Sequence, residues 1–150
     1  MNWQRTLFCI WTVRLRKKII NVSLEGNSVT VQGVRHVIYE MLYNIADNAI
    51  RYTNQNGTVN IFTGTVNGHA FYRVEDNGIG IPEMNRREFF ELFYRVDKAF
   101  RATGGTGLGL SIVKHGAILH NAEIKLKSEP GKGTKKWSWC SAKKNTGSIL

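Results

Sequence analysis

The sequence is poor in cysteine, proline and acidic residues, and it has no long apolar run. Its two cysteines, Cys9 and Cys140, stand far apart with no Cys-x-x-Cys. That excludes a disulfide scaffold and a cysteine-based zinc module, and it suits a reducing compartment. The apolar stretch 7–13 is cut off by Arg14, far short of the roughly 20 residues a membrane helix needs. It also lacks a basic start and a small-residue cleavage site, so it does not read as a signal peptide. Any membrane anchor is expected to lie outside this chain.

Acidic residues number 11 against 21 basic ones, a net charge of +10. Such an excess points to an anionic partner: nucleic acid, a membrane surface or a polyphosphate. Composition does not choose among them. With 150 residues and 42% apolar side chains, the chain is long enough to bury one core without staples.

No repeat or low-complexity tract is present. Residues 1–16 carry two tryptophans and no clean period, and are left unassigned. Residues 19–24 alternate in part and end in Glu25-Gly26-Asn27-Ser28, so a strand and a hairpin with a second short strand, 29–31, are expected. Val34, Val37, Ile38, Met41, Leu42, Ile45 and Ala49 recur at three and four, predicting a helix over 34–53. Residues 58–66 and 69–75 read as two strands around Asn67-Gly68, a strong hairpin signal. A glycine loop follows, then a short helix (82–94), a long polar glycine-rich loop (95–109), a helix (108–119), and a strand (122–127). The turn Glu129-Pro130-Gly131 precedes a possible last strand. Strands joined by hairpins, with no steady strand–helix alternation, imply α+β layering: a mixed sheet with helices on one face.

Three segments carry chemistry. Glu40, Asn44 and Asn48 are spaced by four and Arg51 follows at three, so all four share one helix face beside the apolar stripe. Amide and carboxylate oxygens suit Mg²⁺, which keeps waters and shares phosphate ligands. Arginine suits phosphate. Alone, the face is an ordinary solvated one. In the second, Val74-Glu75-Asp76-Asn77-Gly78-Ile79-Gly80-Ile81-Pro82, a strand delivers Asp76 into a loop whose glycines, Gly78 and Gly80, let backbone approach a flat ligand. An aspartate accepts hydrogen bonds and can read an exocyclic amine such as adenine's. Sequence statistics alone favour a plain Asp-Asn-Gly turn here. The third, Gly104-Gly105-Thr106-Gly107-Leu108-Gly109-Leu110, runs into a helix and exposes N–H groups at its positive end, an anion site. It is neither a Walker loop nor a placed dinucleotide fingerprint.

Each segment is weak evidence, but their order is specific. Glu-x-x-x-Asn-x-x-x-Asn-Ala, then Asp-x-Gly-x-Gly, then Phe-Tyr-Arg, then Gly-Thr-Gly-Leu-Gly-Leu resembles the ATP-binding catalytic domain of bacterial sensor histidine kinases. That family shares its nucleotide fold with DNA gyrase, the MutL proteins and the ninety-kilodalton heat-shock chaperone. The resemblance covers about residues 17–134. It implies a two-layer α/β sandwich of the Bergerat (GHKL) type, with a mixed, mostly antiparallel sheet packed on helices and an ATP lid. The resulting domain assignment is 17–140, with 141–150 a polar tail.

The resemblance also implies roles. Asn44 would ligate Mg²⁺, with Asn48 near the phosphates or the metal. Arg51 would sit on a phosphate, with Tyr52 following as the family expects. Asp76 would take the adenine amine, with Gly78, Gly80 and Ile81 against the base. Thr134 would support that contact through water. Residues 89–95 match the family's phenylalanine box, with Arg95 a candidate for the γ-phosphate. Lys98 and Arg101 would add charge to the lid, and Gly105, Thr106, Gly107, Leu108 and Gly109 would close it over the triphosphate. Glu40 holds the place of the general base in the ATP-hydrolysing relatives.

The implied function is γ-phosphoryl transfer from Mg²⁺-ATP to a histidine on a separate phosphoacceptor domain, with a response regulator served indirectly. The domain would be cytoplasmic, its parent anchored in the bacterial membrane, with no nucleic-acid partner and no membrane contact from this fragment. The phosphoacceptor motif His-Glu/Asp-Leu-Arg is absent: His36, His69, His115 and His120 lack its context and read as structural or solvent-exposed. Two rivals remain at this stage, a clamp-type ATPase and a nucleotide-binding module without chemistry. A basic nucleic-acid binder rests on charge alone. The tail departs from the family: Trp137 and Trp139 alternate one place off the expected phase, for which a bulge, a sequence change or a cloning artefact would each account.

Overall fold

The computed structural model of the chain describes residues 19–80 and 109–140. These form β1 (Asn21–Gly26), α1 (Arg35–Tyr52), β2 (Thr58–Val66), β3 (His69–Asp76), α2 (Gly109–Leu119), β4 (Glu123–Glu129) and β5 (Gly133–Cys140). The expected helix 82–94, and the glycine-rich loop before Gly109, lie outside the described residues.

One five-stranded sheet runs in the order β1-β2-β3-β5-β4. β1 and β2 are parallel, with Asn21 opposite Thr58 and Gly26 opposite Thr63. The other pairs are antiparallel. Parallel neighbours need a crossover, and α1 supplies it. This corrects the expected hairpin of β1 with 29–31. That segment is irregular, and Val29 and Val31 pack against the core instead of pairing.

β3 shows why the sheet has an inside. Its alternate residues Ala70, Tyr72, Val74 and Asp76 are buried, while His69, Phe71, Arg73 and Glu75 between them are half-exposed. Val59 and Ile61 of β2 join the buried row. Against it lies the apolar stripe of α1, with Ile38, Met41, Leu42, Ile45, Ala46, Ala49 and Ile50 all buried. Tyr72 crosses between the layers and donates its hydroxyl to the Leu42 carbonyl at 3.3 Å. Burial pushes this phenol well above its ordinary pKa, so it stays a neutral donor. The β2–β3 turn has Asn67 at φ 52° and Gly68 at φ 77°, the paired positive φ of a two-residue hairpin.

The last strand is present, and a bulge accounts for its phase. Ser128 pairs with Thr134 but Lys127 pairs with Lys136, leaving Lys135 as the extra residue. Beyond it Trp137 stands opposite Val74 and Trp139 opposite Tyr72, the register positions of the buried row.

α1 begins without a capping side chain of its own. His120, just past α2, closes that end: its Nε2 accepts the Val34 N–H at 2.9 Å. That acceptor role leaves the proton on Nδ1, which lies 2.8 Å from the Gly116 carbonyl. The imidazole thus ties the start of α1 to the end of α2, so it is structural, as the sequence suggests. His120→Ala should cost about 0.5–1.5 kcal/mol, the net worth of one hydrogen bond at an exposed helix start. Urea unfolding of the intact chain would check this.

Candidate functional site

The middle and the C-terminal end of α1 assemble the site. At the first, Asn44 donates its Nδ2 to the Glu40 carbonyl one turn back, at 2.7 Å. The amide is thereby oriented, and its oxygen turns toward Gly109: a carbon added at Gly109 would stand 2.6 Å from Asn44 Oδ1. Gly109 is the last residue of the glycine run and the first of α2. An amide oxygen thus meets the N-terminus of a helix, where N–H groups collect anions. α2 approaches this closely because Gly116, two turns on, also lacks a side chain where Met41 and Val37 stand.

At the second, the strand parity that buries Tyr72 and Val74 also turns Asp76 inward, leaving it 9% exposed. Asp76 Oδ1 accepts the Gly78 N–H at 2.9 Å, a short Asp-turn. The loop is then held from three sides. Ile79 N–H donates to the Tyr52 carbonyl at 3.3 Å, and Gly131 N–H to the Ile79 carbonyl at 2.8 Å. Asn77 Oδ1 accepts the Thr58 N–H at 2.8 Å. Gly78 lies against the Tyr52 carbonyl and Gly80, at φ +70°, against the Glu129 carbonyl, both too close for any side chain. These contacts bring the Asp76 loop, the last turn of α1 and the turn leading to Thr134 together.

Asn44 and Tyr52 are eight residues apart, about 12 Å along the helix. One side of α1 therefore has an anion-favouring corner beside its middle turns and the loop of the buried Asp76 carboxylate beside its last turn. That spacing fits an elongated ligand with a flat polar ring and an anionic tail.

The expected residues divide accordingly. Asn44 and Gly109 meet, and Tyr52, Asp76, Gly78 and Gly80 meet. Asn48 is half-buried on the same face of α1, and Glu40 is exposed one turn before Asn44. Arg51 is engaged by Asp47, its Nη2 donating to Oδ2 at 2.9 Å. Thr134, the second residue of β5, stands opposite Ser128. Ile81, Arg95, Lys98, Arg101, Gly105, Thr106, Gly107 and Leu108 lie outside the described residues. Sequence reading missed Asp47, although an aspartate four residues before an arginine is a readable helix pair. It also missed Asn77, whose anchoring of the loop depends on the distant Thr58.

The donor set can be tested against Mg²⁺. Among the described residues no group of three or more His, Cys, Asp or Glu forms a protein cage for a metal. A single oriented amide oxygen beside an anion corner suits an ion held mostly by phosphate and water. The residues fit such an ion, with Asn44 Oδ1 the oxygen that could reach it.

The fold and site define a nucleotide-binding domain of the GHKL type. Residues 33–144 match the model of the histidine kinase-, DNA gyrase B-, and HSP90-like ATPase family, and the chain belongs to that family. Within it the chain is similar to sensor histidine kinases. Sensor histidine kinase YkoH of Bacillus subtilis is 44% identical over 116 residues, 77% of this chain and 25% of the relative. The sensor-like histidine kinase SenX3 of Mycolicibacterium smegmatis is 45% identical over 105 residues, 69% and 27% respectively. The chain thus spans about a quarter of the curated relatives it matches. Among solved structures, the catalytic domain of histidine kinase ThkA superposes with a TM-score of 0.79 at 25% identity, over 95% of this chain and 93% of that one. The mycobacterial sensor histidine kinase MprB shares the fold at a TM-score of 0.78, over 94% of each chain. No helix among the described residues is long and apolar enough to cross a membrane.

Proposed function

We propose that this chain is the ATP-binding catalytic domain, residues 17–140, of a sensor histidine kinase. It binds Mg²⁺-ATP and presents the γ-phosphate to a histidine on a separate phosphoacceptor domain. The parent is a membrane-anchored sensor with this domain on the cytoplasmic side, and a response regulator receives the phosphoryl group downstream. The observation that carries the reading is the approach of Asn44 Oδ1 to Gly109, with the buried Asp76 loop locked to the last turn of the same helix.

In this reading Asp76 accepts the exocyclic amine of adenine, and Gly78 and Gly80 let the backbone lie flat against the base. Asn44 and Asn48 face the phosphates. Arg51, together with Arg95 and the glycines 105–109, neutralises and encloses them. Mg²⁺ held there by Asn44 would offset phosphate charge. The acceptor imidazole is itself a nucleophile, so the protein contributes position and charge neutralisation more than covalent chemistry. Glu40, exposed one turn before Asn44, orients or deprotonates that imidazole.

Mixing the chain with a histidine-bearing hairpin domain of a related kinase and γ-labelled ATP tests the reading. Label on the hairpin's histidine supports it. Rapid phosphate release without label supports a clamp-type ATPase, and nucleotide binding without either supports a module lacking chemistry. Asn44→Ala should abolish the Mg²⁺ dependence of ATP binding, measured by calorimetry with and without the metal. Unchanged dependence would remove Asn44 as the ligand.

A further inference from the structure

The polar face of α1 holds one more charged residue than the nucleotide reading uses. Asp47 lies between Asn44 and Arg51 along the helix and at the edge of the same arc of about 100°. Its Oδ2 accepts a hydrogen bond from Arg51 Nη2 at 2.9 Å. Both side chains are largely withdrawn from water, Arg51 at 19% and Asp47 at 13% exposure. A surface pair of this spacing is loosely held and worth little. Here low exposure limits screening, so the carboxylate competes effectively with any other anion for the guanidinium.

We propose that Asp47 is the internal counter-ion of Arg51, from which a nucleotide's phosphates must draw the guanidinium, and that it thereby sets how strongly the domain favours triphosphate over the bare nucleoside. The inference rests on the nucleotide reading above. Arg51 partitions between two anions, one fixed on the helix and one delivered by the ligand. When phosphate arrives, the Asp47 carboxylate loses part of its near counter-charge, and that loss subtracts from phosphate affinity. When the phosphate-bearing ligand leaves, Asp47 takes the guanidinium back. Neutralising Asp47 removes the competitor while leaving the base-binding end of the site untouched. A nucleoside without phosphates is indifferent to the exchange.

Calorimetric titration of the intact chain with ATP and with adenosine tests this. Asp47→Asn should tighten ATP about five- to tenfold and leave adenosine within about twofold, since each factor of ten is the scale of one charge contact. Asp47→Glu, which keeps the charge, should restore the original ATP-to-adenosine ratio, and it serves also if the asparagine variant folds poorly. In an Arg51→Met background the gain from Asp47→Asn should shrink to about twofold or less. Weaker or unchanged ATP binding in Asp47→Asn overturns the proposal. So does an equal gain in the Arg51→Met background, which would make Asp47 a bare repulsive charge. Failure of the unaltered chain to bind either ligand overturns the nucleotide reading itself, and this inference with it.

Discussion

Asp76→Asn should weaken ATP binding about thirtyfold and change GTP binding less than threefold. The carboxylate sits at the inward end of β3, 9% exposed, with Oδ1 committed to the Gly78 N–H. Asparagine keeps the size and that acceptor, so the loop retains its shape. What changes is the charge offered to the ligand. A hydrogen bond from adenine's amine to an ionised acceptor is worth about 1.5–3 kcal/mol. Guanine presents a carbonyl at the corresponding edge, so GTP never gains from the carboxylate. Equal losses for both nucleotides would show that Asp76 shapes the loop without reading the base.

Gly80→Ala should be the most damaging single methyl in the described part of the site, costing about 3 kcal/mol or more in stability. Two penalties coincide there. Gly80 has φ +70°, which costs a residue with a side chain about 1–2 kcal/mol. Its added carbon would also enter the Glu129 carbonyl, a backbone group held in the β4 ladder. Relief requires moving the Asp76 loop away from the β4–β5 turn and breaking the Gly131 N–H to Ile79 carbonyl bond. Nucleotide affinity should therefore fall along with stability. Gly131→Ala is the internal comparison. It has φ +76°, but nothing lies within 4 Å of an added carbon. It should show the conformational penalty alone, about 1–2 kcal/mol. Equal losses at the two positions, read from chemical unfolding, would mean that the close approach to Glu129 is unimportant.

The sequence was most legible where one period ran unbroken. α1 was expected over 34–53 and spans Arg35–Tyr52, because its apolar stripe repeats at three and four without interruption. β2 and β3 followed from alternation on either side of Asn67-Gly68. The same parity places Asp76, since a strand that buries Tyr72 and Val74 must turn the next alternate residue the same way.

Legibility failed where pairing is non-local. The segment 29–31 has the composition of a strand, yet β1 takes β2 as its partner through the α1 crossover. Nothing local to 29–31 encodes that choice. The phase of Trp137 and Trp139 was equally opaque, because a one-residue bulge at Lys135 shows only in the cross-strand register. In the site, motif order identified Asn44, Asp76 and the glycine run but not what holds each of them. The partners of Asp76's loop, Tyr52, Thr58, Glu129 and Gly131, are spread over 80 positions of chain and meet only through the sheet. Asp47 was readable as a helix pair, but attention to metal and phosphate donors passed over a carboxylate that binds neither.

The central claim is that the middle of α1, at Asn44, and its last turn, at Tyr52, hold the two ends of one nucleotide. Calorimetric titration of the intact chain with ATP, with and without Mg²⁺, tests it most directly. The expected result is saturable binding of one ATP per chain, strengthened by Mg²⁺ and competed by adenosine. Absence of saturable binding, or ATP binding that adenosine does not displace, would contradict it.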